Sequence, residues 1–479
     1  MFSSQALLVL VEPLYTQLGW SAMQVSALKR LIQMPLTLSV VVGLLSDSYP
    51  IRGVRRKWYV VLGSILYAVA VFALAGISAL HPRALPRHDA LVVVALCLVS
   101  VASFGAMITS LCVQTRVIEY SQRESLRDRG TLQVSYLVFR RVVSLVTSVL
   151  SFLALGTDAA PTLSMSSCMT LVGVVSLAPV PLVLVYWHED ARDTRVAAPL
   201  TRQCHVLWKL MQQKAVWHVL ACLACFSLFL TLEFRDATRV VRDWAGATSD
   251  PPVLVHASHD VVRIGLLLVW RAVFLNRLWP LVFAVAPACQ IVPSLVGSLL
   301  VTFDVVRNRY VYRVLDALTY VAKGLQLLLP LVPVTEIVPA GSEGAIVGLT
   351  LTLQQCLDLF VETQAAQGVF RGAYDASKQE DDGGETWGTE TATTRARWDL
   401  VLALLLNYAL NALAAVGLWF LPSQKWDAQH VRMYGGFTAG ASGALVALCL
   451  LLLLYALVVA VLTLEPATAC LAVVGGSGC

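Results

Sequence analysis

The stretch GLLSDSYPIRGVRRKWYVVLG, residues 43–63, decides how this chain is read. It holds one acid, Asp47, and four bases, Arg52, Arg55, Arg56 and Lys57, around a turn from Pro50 to Gly53. An apolar run lies on each side, so the cluster reads as a short loop between two helices that cross a bilayer. Gly43 is small enough to let two helices approach closely. Asp47 suits the N-terminus of a neighbouring helix or an arginine, and Arg55 and Arg56 suit ion pairs that close one face of the protein. The same four bases also satisfy the preference of cytoplasmic loops for Lys and Arg, which leaves the gate and simple orientation open as alternatives.

Composition supports the lipid setting. Of 479 residues, 57% are hydrophobic and only 14% charged, and the mean hydropathy is +0.72. Soluble domains carry roughly a quarter charged residues. A chain this apolar cannot hide its side chains in one water-soluble core, whereas a spanning helix needs about 20 mostly apolar residues. The net charge of +5 comes without a basic block interleaved with aromatics, which argues against nucleic acid as a partner. Cys222 and Cys225 form a C-x-x-C inside an apolar run and read as core thiols on one helix face. The N-terminus has no basic leader region and no small-residue cleavage site, so it does not read as a signal peptide. A His-rich metal cluster, a nucleophile elbow and a phosphate-binding loop are all missing, and the eight histidines fall in or near loops. The reading is therefore not an enzyme, with no cofactor and no metal.

Apolar segments recur at 2–18, 27–46, 58–80, 90–114, 131–155, 163–187, 216–235, 261–275, 279–303, 312–335, 344–370, 398–421 and 435–463. The first is broken by Glu12 and Pro13, and the eighth is short and carries Arg263 and Arg271. Residues 188–215 form a long basic loop, and 371–397 a polar acidic loop that reads as a solvated connector. With the Asp47–Lys57 loop in the cytoplasm, 116–129 and 188–215 fall on the same side and 371–397 falls opposite. Arg307, Arg309 and Arg313 then land outside. Six spans, a central loop and six spans predict two packed helical bundles with a site between them near the bilayer midplane. The expected organisation is a bundle at 1–187, a cytoplasmic loop at 188–215, a bundle at 216–421, and an extra transmembrane helix with a cysteine-containing tail at 422–479.

Gly43-x-Leu45-x-Asp47, followed by Gly53 and a basic run, resembles the loop between the second and third spans of the major facilitator superfamily. SDSYPIRGVRRKWY is similar to the folate-biopterin transporter family, a branch of that superfamily. So is VIEYSQRESLRDRGTLQ (117–133), with Glu119, Gln122 to Glu124 and Arg129 to Gln133. FDVVRNRYVY (303–312), PAGSEGAIVGL (339–349) and QKWDAQHVRMYGG with the closing GGSGC agree in order. The resemblance implies an all-α polytopic membrane protein of major-facilitator type, two six-helix bundles plus one extra C-terminal helix. It implies alternating-access transport of a pterin or folate, with Asp47, Arg55, Arg56, Glu119 and Arg129 as gating residues. The family's paired acids in the fourth span are replaced by Ser110 and Gln114, a Lys-Pro by Ser39-Val40, and an Asn-x-Gly by Gln355-Cys356-Leu357. The resemblance also implies a longer first span than the one present, which marks a divergent member. Two alternatives follow: a carrier of another small solute, or a non-transporting scaffold or sensor.

Ionisable groups inside hydrocarbon normally face a cavity or a partner. Those expected here are Glu12, Arg140, Arg141, Asp316, Lys323, Asp358 and Glu362. Asp358 and Glu362 are four apart and share a helix face; Lys323 is expected to meet Asp358, and Arg140 a substrate carboxylate or Glu12. Neighbours on a helix differ by about 100°, so only one of Arg140 and Arg141 is expected to face inward. The expected substrate-binding set is Glu12, Gln114, Arg140, Lys323, Asp358 and Glu362. With the fourth-span acids gone, Asp316, Asp358 or Glu362 would carry a coupled proton. Cys470 and Cys479 follow the last apolar run; a disulfide between them and two unlinked thiols are both open.

Overall fold

The computed structural model describes residues 32–84, 89–155, 163–189, 199–248, 252–367 and 394–464, with Thr468 and Leu471. Glu12, the first apolar segment, Cys470, Cys479 and all but the end of the 371–397 loop lie outside the described residues.

The described residues form helices joined by turns and short loops, as lipid requires of segments that must satisfy their own backbone hydrogen bonds. Helix α1 is Met34–Ser48, opening with a tight turn around Pro35. It is followed by α2 (Lys57–Ala84), α3 (Asp89–Ser121) and α4 (Thr131–Leu155). Next comes α5 (Met165–Tyr186), started by the Ser164 hydroxyl, which accepts from the Ser167 N–H at 3.2 Å. Among the described residues nine helices are long and apolar enough to cross a membrane, or ten if one bent pair counts as a span. Their outward faces carry exposed Val69, Leu150, Leu281, Leu402 and Leu450, an apolar surface far too large for a soluble monomer.

The stretch expected as a loop at 188–215 contains a helix, α6 (Leu200–Gln212). Its buried Gln203, Leu207, Leu210 and Met211 recur at helical spacing, which makes it amphipathic and holds it against the bundle. The seventh segment is two helices rather than one. Helix α7 (Lys214–Leu230) ends in a widened turn, the chain breaks at Thr231–Phe234, and α8 (Arg235–Trp244) leaves at 49°. The eighth segment is longer than expected: α9 (Pro252–Val269) starts nine residues before 261 and runs on through Trp270–Phe274. Then come α10 (Trp279–Thr302) and α11 (Arg309–Gln326), the latter capped by Asn308, whose side chain accepts from the Tyr310 N–H at 2.8 Å. The expected segment 312–335 is interrupted: α11 stops at Gln326, and a turn leads to the short α12 (Val332–Ile337). The chain closes with α13 (Glu343–Gln367), α14 (Thr394–Ala412, continuing to Phe420), α15 (Lys425–Tyr434) and α16 (Ala439–Leu464).

Small residues set the helix spacing, as expected where lipid supplies no hydrophobic drive between helices. A Cβ on Gly105 would lie 2.6 Å from the Gly63 carbonyl, so α2 and α3 touch backbone to backbone. Two seams join the helices before α6 to those after it: α1 packs on α13, and α4 packs on α9. Cys222 is fully buried on α7 and Cys225 partly so, in agreement with thiols on a helix.

Candidate functional site

One end of the molecule is sealed by charge. Asp47, at the end of α1 and fully buried, pairs with Arg56. Its other oxygen accepts the Ala345 N–H at 2.8 Å, at the start of α13. It therefore fills both roles open to it, arginine partner and helix N-terminal acceptor. Arg56 also donates to Ser46 and reaches Glu119 at 3.2 Å, which Arg116 holds at 2.6 Å. Glu189 accepts the backbone N–H groups of Arg55 (2.9 Å), Arg56 (3.2 Å) and Lys57 (3.1 Å), satisfying the free donors at the start of α2. These contacts bring the 47–57 loop, the end of α3 and the start of 188–215 to the same end.

A second layer crosses between the two parts of the chain. Arg129 meets the buried Glu336 at 2.8 Å, and Gln429 donates to the same carboxylate at 2.6 Å. Gln122 donates to the carbonyls of Thr335 (3.2 Å) and Val338 (2.9 Å), and Gln133 to the Thr335 hydroxyl. Lys425 Nζ donates to the carbonyls of Leu126 and Arg127 and to Asn276 Oδ1. Burial pushes this ammonium below the ordinary lysine value, with Glu336 opposing. Of the five expected gating residues, Asp47, Arg56, Glu119 and Arg129 join ion pairs. Arg55 does not: its backbone binds Glu189, while its buried Nε and Nη2 find no partner among the described residues.

Beyond the seal lies a cavity of about 540 Å³. Arg140, Arg141, Arg235, Arg263 and Lys323 line it, facing Glu233, Asp358 and Glu362. Cations thus outnumber acids, and the volume falls in the roughly 300–1,000 Å³ range of small-molecule sites. Of the expected binding set, Arg140, Lys323, Asp358 and Glu362 line this cavity. Both Arg140 and Arg141 reach the cavity, contrary to expectation, because an arginine is long enough to curl round its helix. Arg141 is steadied by Asp260 at 3.5 Å, which also binds Arg263 at 3.0 Å and the Ser144 hydroxyl at 2.9 Å. The expected Lys323–Asp358 ion pair is not formed. Lys323 Nζ instead sits 4.4 Å from the centre of the Tyr320 ring, and Asp358 Oδ1 is buried without a hydrogen-bond partner among the described residues.

Gln114 is a correction. It is 4% exposed and not in the cavity wall, which α3 supplies through Ser103, Ala106, Met107 and Ser110. One turn past Ser110 the helix has entered the seal, where Leu111, Cys112, Thr115 and Ile118 are fully buried. The sequence reading missed Glu233 and Arg235, delivered by the break between α7 and α8, and Asp260 and Arg263, delivered by α9. The signal for the first pair is the charged tetrad E-F-R-D inside an apolar run.

A second chamber of about 400 Å³ adjoins the first, and Glu233 and Lys323 line both. It lies among α8, α9, α10, α11 and α14. His259 stacks on Tyr320 at 3.5 Å between ring centres and meets Asp316 at 3.1 Å. Asp316, expected in the membrane with a partner, is held by His259 and by Arg313 at 3.7 Å.

The BT1 family model matches residues 7–359. Over 120 residues, a quarter of this chain, the sequence is 28% identical to Folate transporter 1 of Plasmodium falciparum (isolate 3D7); the match spans 22% of that protein's length. The fold is similar to a D-xylose–proton symporter (TM-score 0.56, 13% identity, 88% of this chain and 97% of that one). It is also similar to a bacterial homologue of the iron transporter ferroportin in its outward-facing state (TM-score 0.55, 14% identity, 88% and 98%). These likenesses carry the fold: a multi-pass integral membrane protein of the major facilitator type.

Proposed function

The chain belongs to the BT1 family, and on that premise we propose that it is a secondary-active carrier of a pterin or folate, working by alternating access. The observation that carries the proposal is the charge-lined cavity at the seams α1–α13 and α4–α9, shut at one end by contacts that can break and re-form. An excess of cations over acids suits a substrate with carboxylates, and Arg140 and Arg141 are placed to receive them. The helices before α6 and those after it act as two rocking bundles, 1–187 and 216–421, linked by 188–215. The sealed end, which carries the basic loops, faces the cytoplasm. Asp358, whose Oδ1 is buried without a hydrogen-bond partner among the described residues, is the favoured proton carrier over Asp316, which is already held by His259 and Arg313.

A second reading, a ligand-binding sensor that does not transport, draws on Ser110. It lines the cavity at a position where the family resemblance implies an acid; a serine hydroxyl, here donating to the Met107 carbonyl at 3.1 Å, is too weak an acid to carry a proton. Uptake of labelled folate and biopterin into cells lacking their own carrier separates the two. Saturable uptake supports the carrier. Ligand-dependent thermal stabilisation with no uptake replaces it with the sensor.

A further inference from the structure

The two chambers differ in chemistry in a way that the transport reading alone does not require. In the central cavity the cations exceed the acids. In the second chamber part of the charge is already engaged: Asp316 binds His259 and Arg313, and Arg242 lies beside the Tyr312 hydroxyl. Besides the Arg242 Nε, a donor also buried without a partner among the described residues, what this chamber leaves open is neutral and accepting. Asn407 Oδ1 on α14 and Gln290 Oε1 on α10 both line the chamber, are buried, and have no hydrogen-bond partner among the described residues. Asn407 is only 4% exposed. The two helices are tied together close by, since the Ser298 and Tyr408 hydroxyls meet at 2.7 Å. The stacked His259 and Tyr320 rings, 12° apart in plane, also line the chamber and supply its aromatic surface.

Orphaned buried acceptors cost free energy unless a donor reaches them. A planar heteroaromatic ring bearing N–H donors supplies both the donors and a face to stack. Glu233 and Lys323 line both chambers, which sets the two side by side. We infer that the second chamber seats a flat, donor-rich ring while the central cavity holds the anionic tail of the same molecule. This rests on the pterin or folate reading and assigns each end of that substrate to a place.

The test uses purified full-length protein in detergent and two fragments, biopterin as a ring without a carboxylate tail and para-aminobenzoyl-glutamate as a tail without the ring. Binding of each is measured by titration calorimetry. Asn407→Leu is expected to weaken biopterin about tenfold or more and to leave the tail fragment within about twofold. Gln290→Leu, on another helix, repeats that pattern, and Arg140→Gln reverses it. Tail binding that survives in the leucine variants also shows that they fold. If both leucine variants weaken the two fragments equally, or neither, the two-chamber assignment is overturned while the carrier reading stands. If the wild-type protein binds neither fragment, the pterin or folate reading falls and takes the assignment with it.

Discussion

Gly43→Ala probes whether the α1–α13 contact acts as a closing face. A Cβ at residue 43 would lie 2.1 Å from the Gly344 carbonyl oxygen and 3.3 Å from the Ala345 nitrogen. Ordinary contact begins at 3.4 Å, so the two helices must part by about 1.3 Å. The obstacle is backbone, and no side chain can swing aside to make room. Moving α13 away also stretches the Ala345 N–H from Asp47, now at 2.8 Å. Overpacking of this kind costs about 1–3 kcal/mol, and it falls only on the state in which this end is shut. A bias of about 2 kcal/mol moves the open-to-shut ratio roughly thirtyfold. Spin labels at Tyr49 and Tyr434, 55% and 74% exposed at the sealed end, report the separation by pulsed electron resonance. The expected outcome is that a long-distance population, minor in the wild type, becomes the main one. Gly76→Ala is the control, because nothing lies within 4 Å of its added carbon. An unchanged distance distribution in a Gly43→Ala protein that melts like wild type would refute the reasoning.

Asp47→Asn leaves Arg56, 1% exposed, with only part of its counter-charge. Breaking such a buried pair costs about 3–5 kcal/mol, so the thermal midpoint in detergent should fall clearly, and a midpoint within error of wild type contradicts the role assigned to the pair. Asp358→Asn should abolish uphill, proton-driven uptake while sparing exchange of labelled for unlabelled substrate; undiminished uphill uptake removes Asp358 as the proton carrier. Tyr455→Phe deletes hydrogen bonds to Thr363 (2.6 Å) and Gln364 (3.0 Å) and should cost about 1–2 kcal/mol, read from denaturant titration. Lys425 has a folded-state pKa below its unfolded value, so the unfolded chain holds the extra proton and stability rises with pH through the folded pKa towards about 10.4. Lys425→Met should flatten that alkaline rise, and an identical slope in the two proteins counts against the burial argument.

The spans were legible because lipid enforces a length and an apolarity that no soluble helix needs. The double role of Asp47 was legible too, since a lone acid beside Gly43 and before a basic run has few other uses. The misses share a cause: they sit where a helix turns a polar face to the cavity. In VLVHASHDVV (253–262) two histidines and an aspartate interrupt the apolar pattern, which put the start of α9 at 261 and hid His259 and Asp260. The break before Arg235 was hidden differently: the widened turn at Phe226–Leu230 leaves no mark in composition, and only the charges that follow it, Glu233, Arg235 and Asp236, hint at a break. Lys323 and Asp358 were matched by depth along their helices. Depth does not fix direction around the axis, and Lys323 turned to Tyr320. Gln114 shows the converse: it is one turn from Ser110 on α3, but that turn crosses from cavity wall into packed interior.

Helix α16 touches the first turn of α1 on one side and α13 on the other, and Tyr455 fastens it to α13 through Thr363 and Gln364. A strut bolted to one leaf of a hinge and leaning on the other must slide along the second whenever the hinge swings. If the proposed alternating access holds, the gliding surface lies between α16 and α1, and the C-terminal helix rides with the helix that bears Asp358 and Glu362. On the alternating-access proposal, the sliding seam falls at the first turn of α1 while the Tyr455 bonds to α13 hold through the cycle.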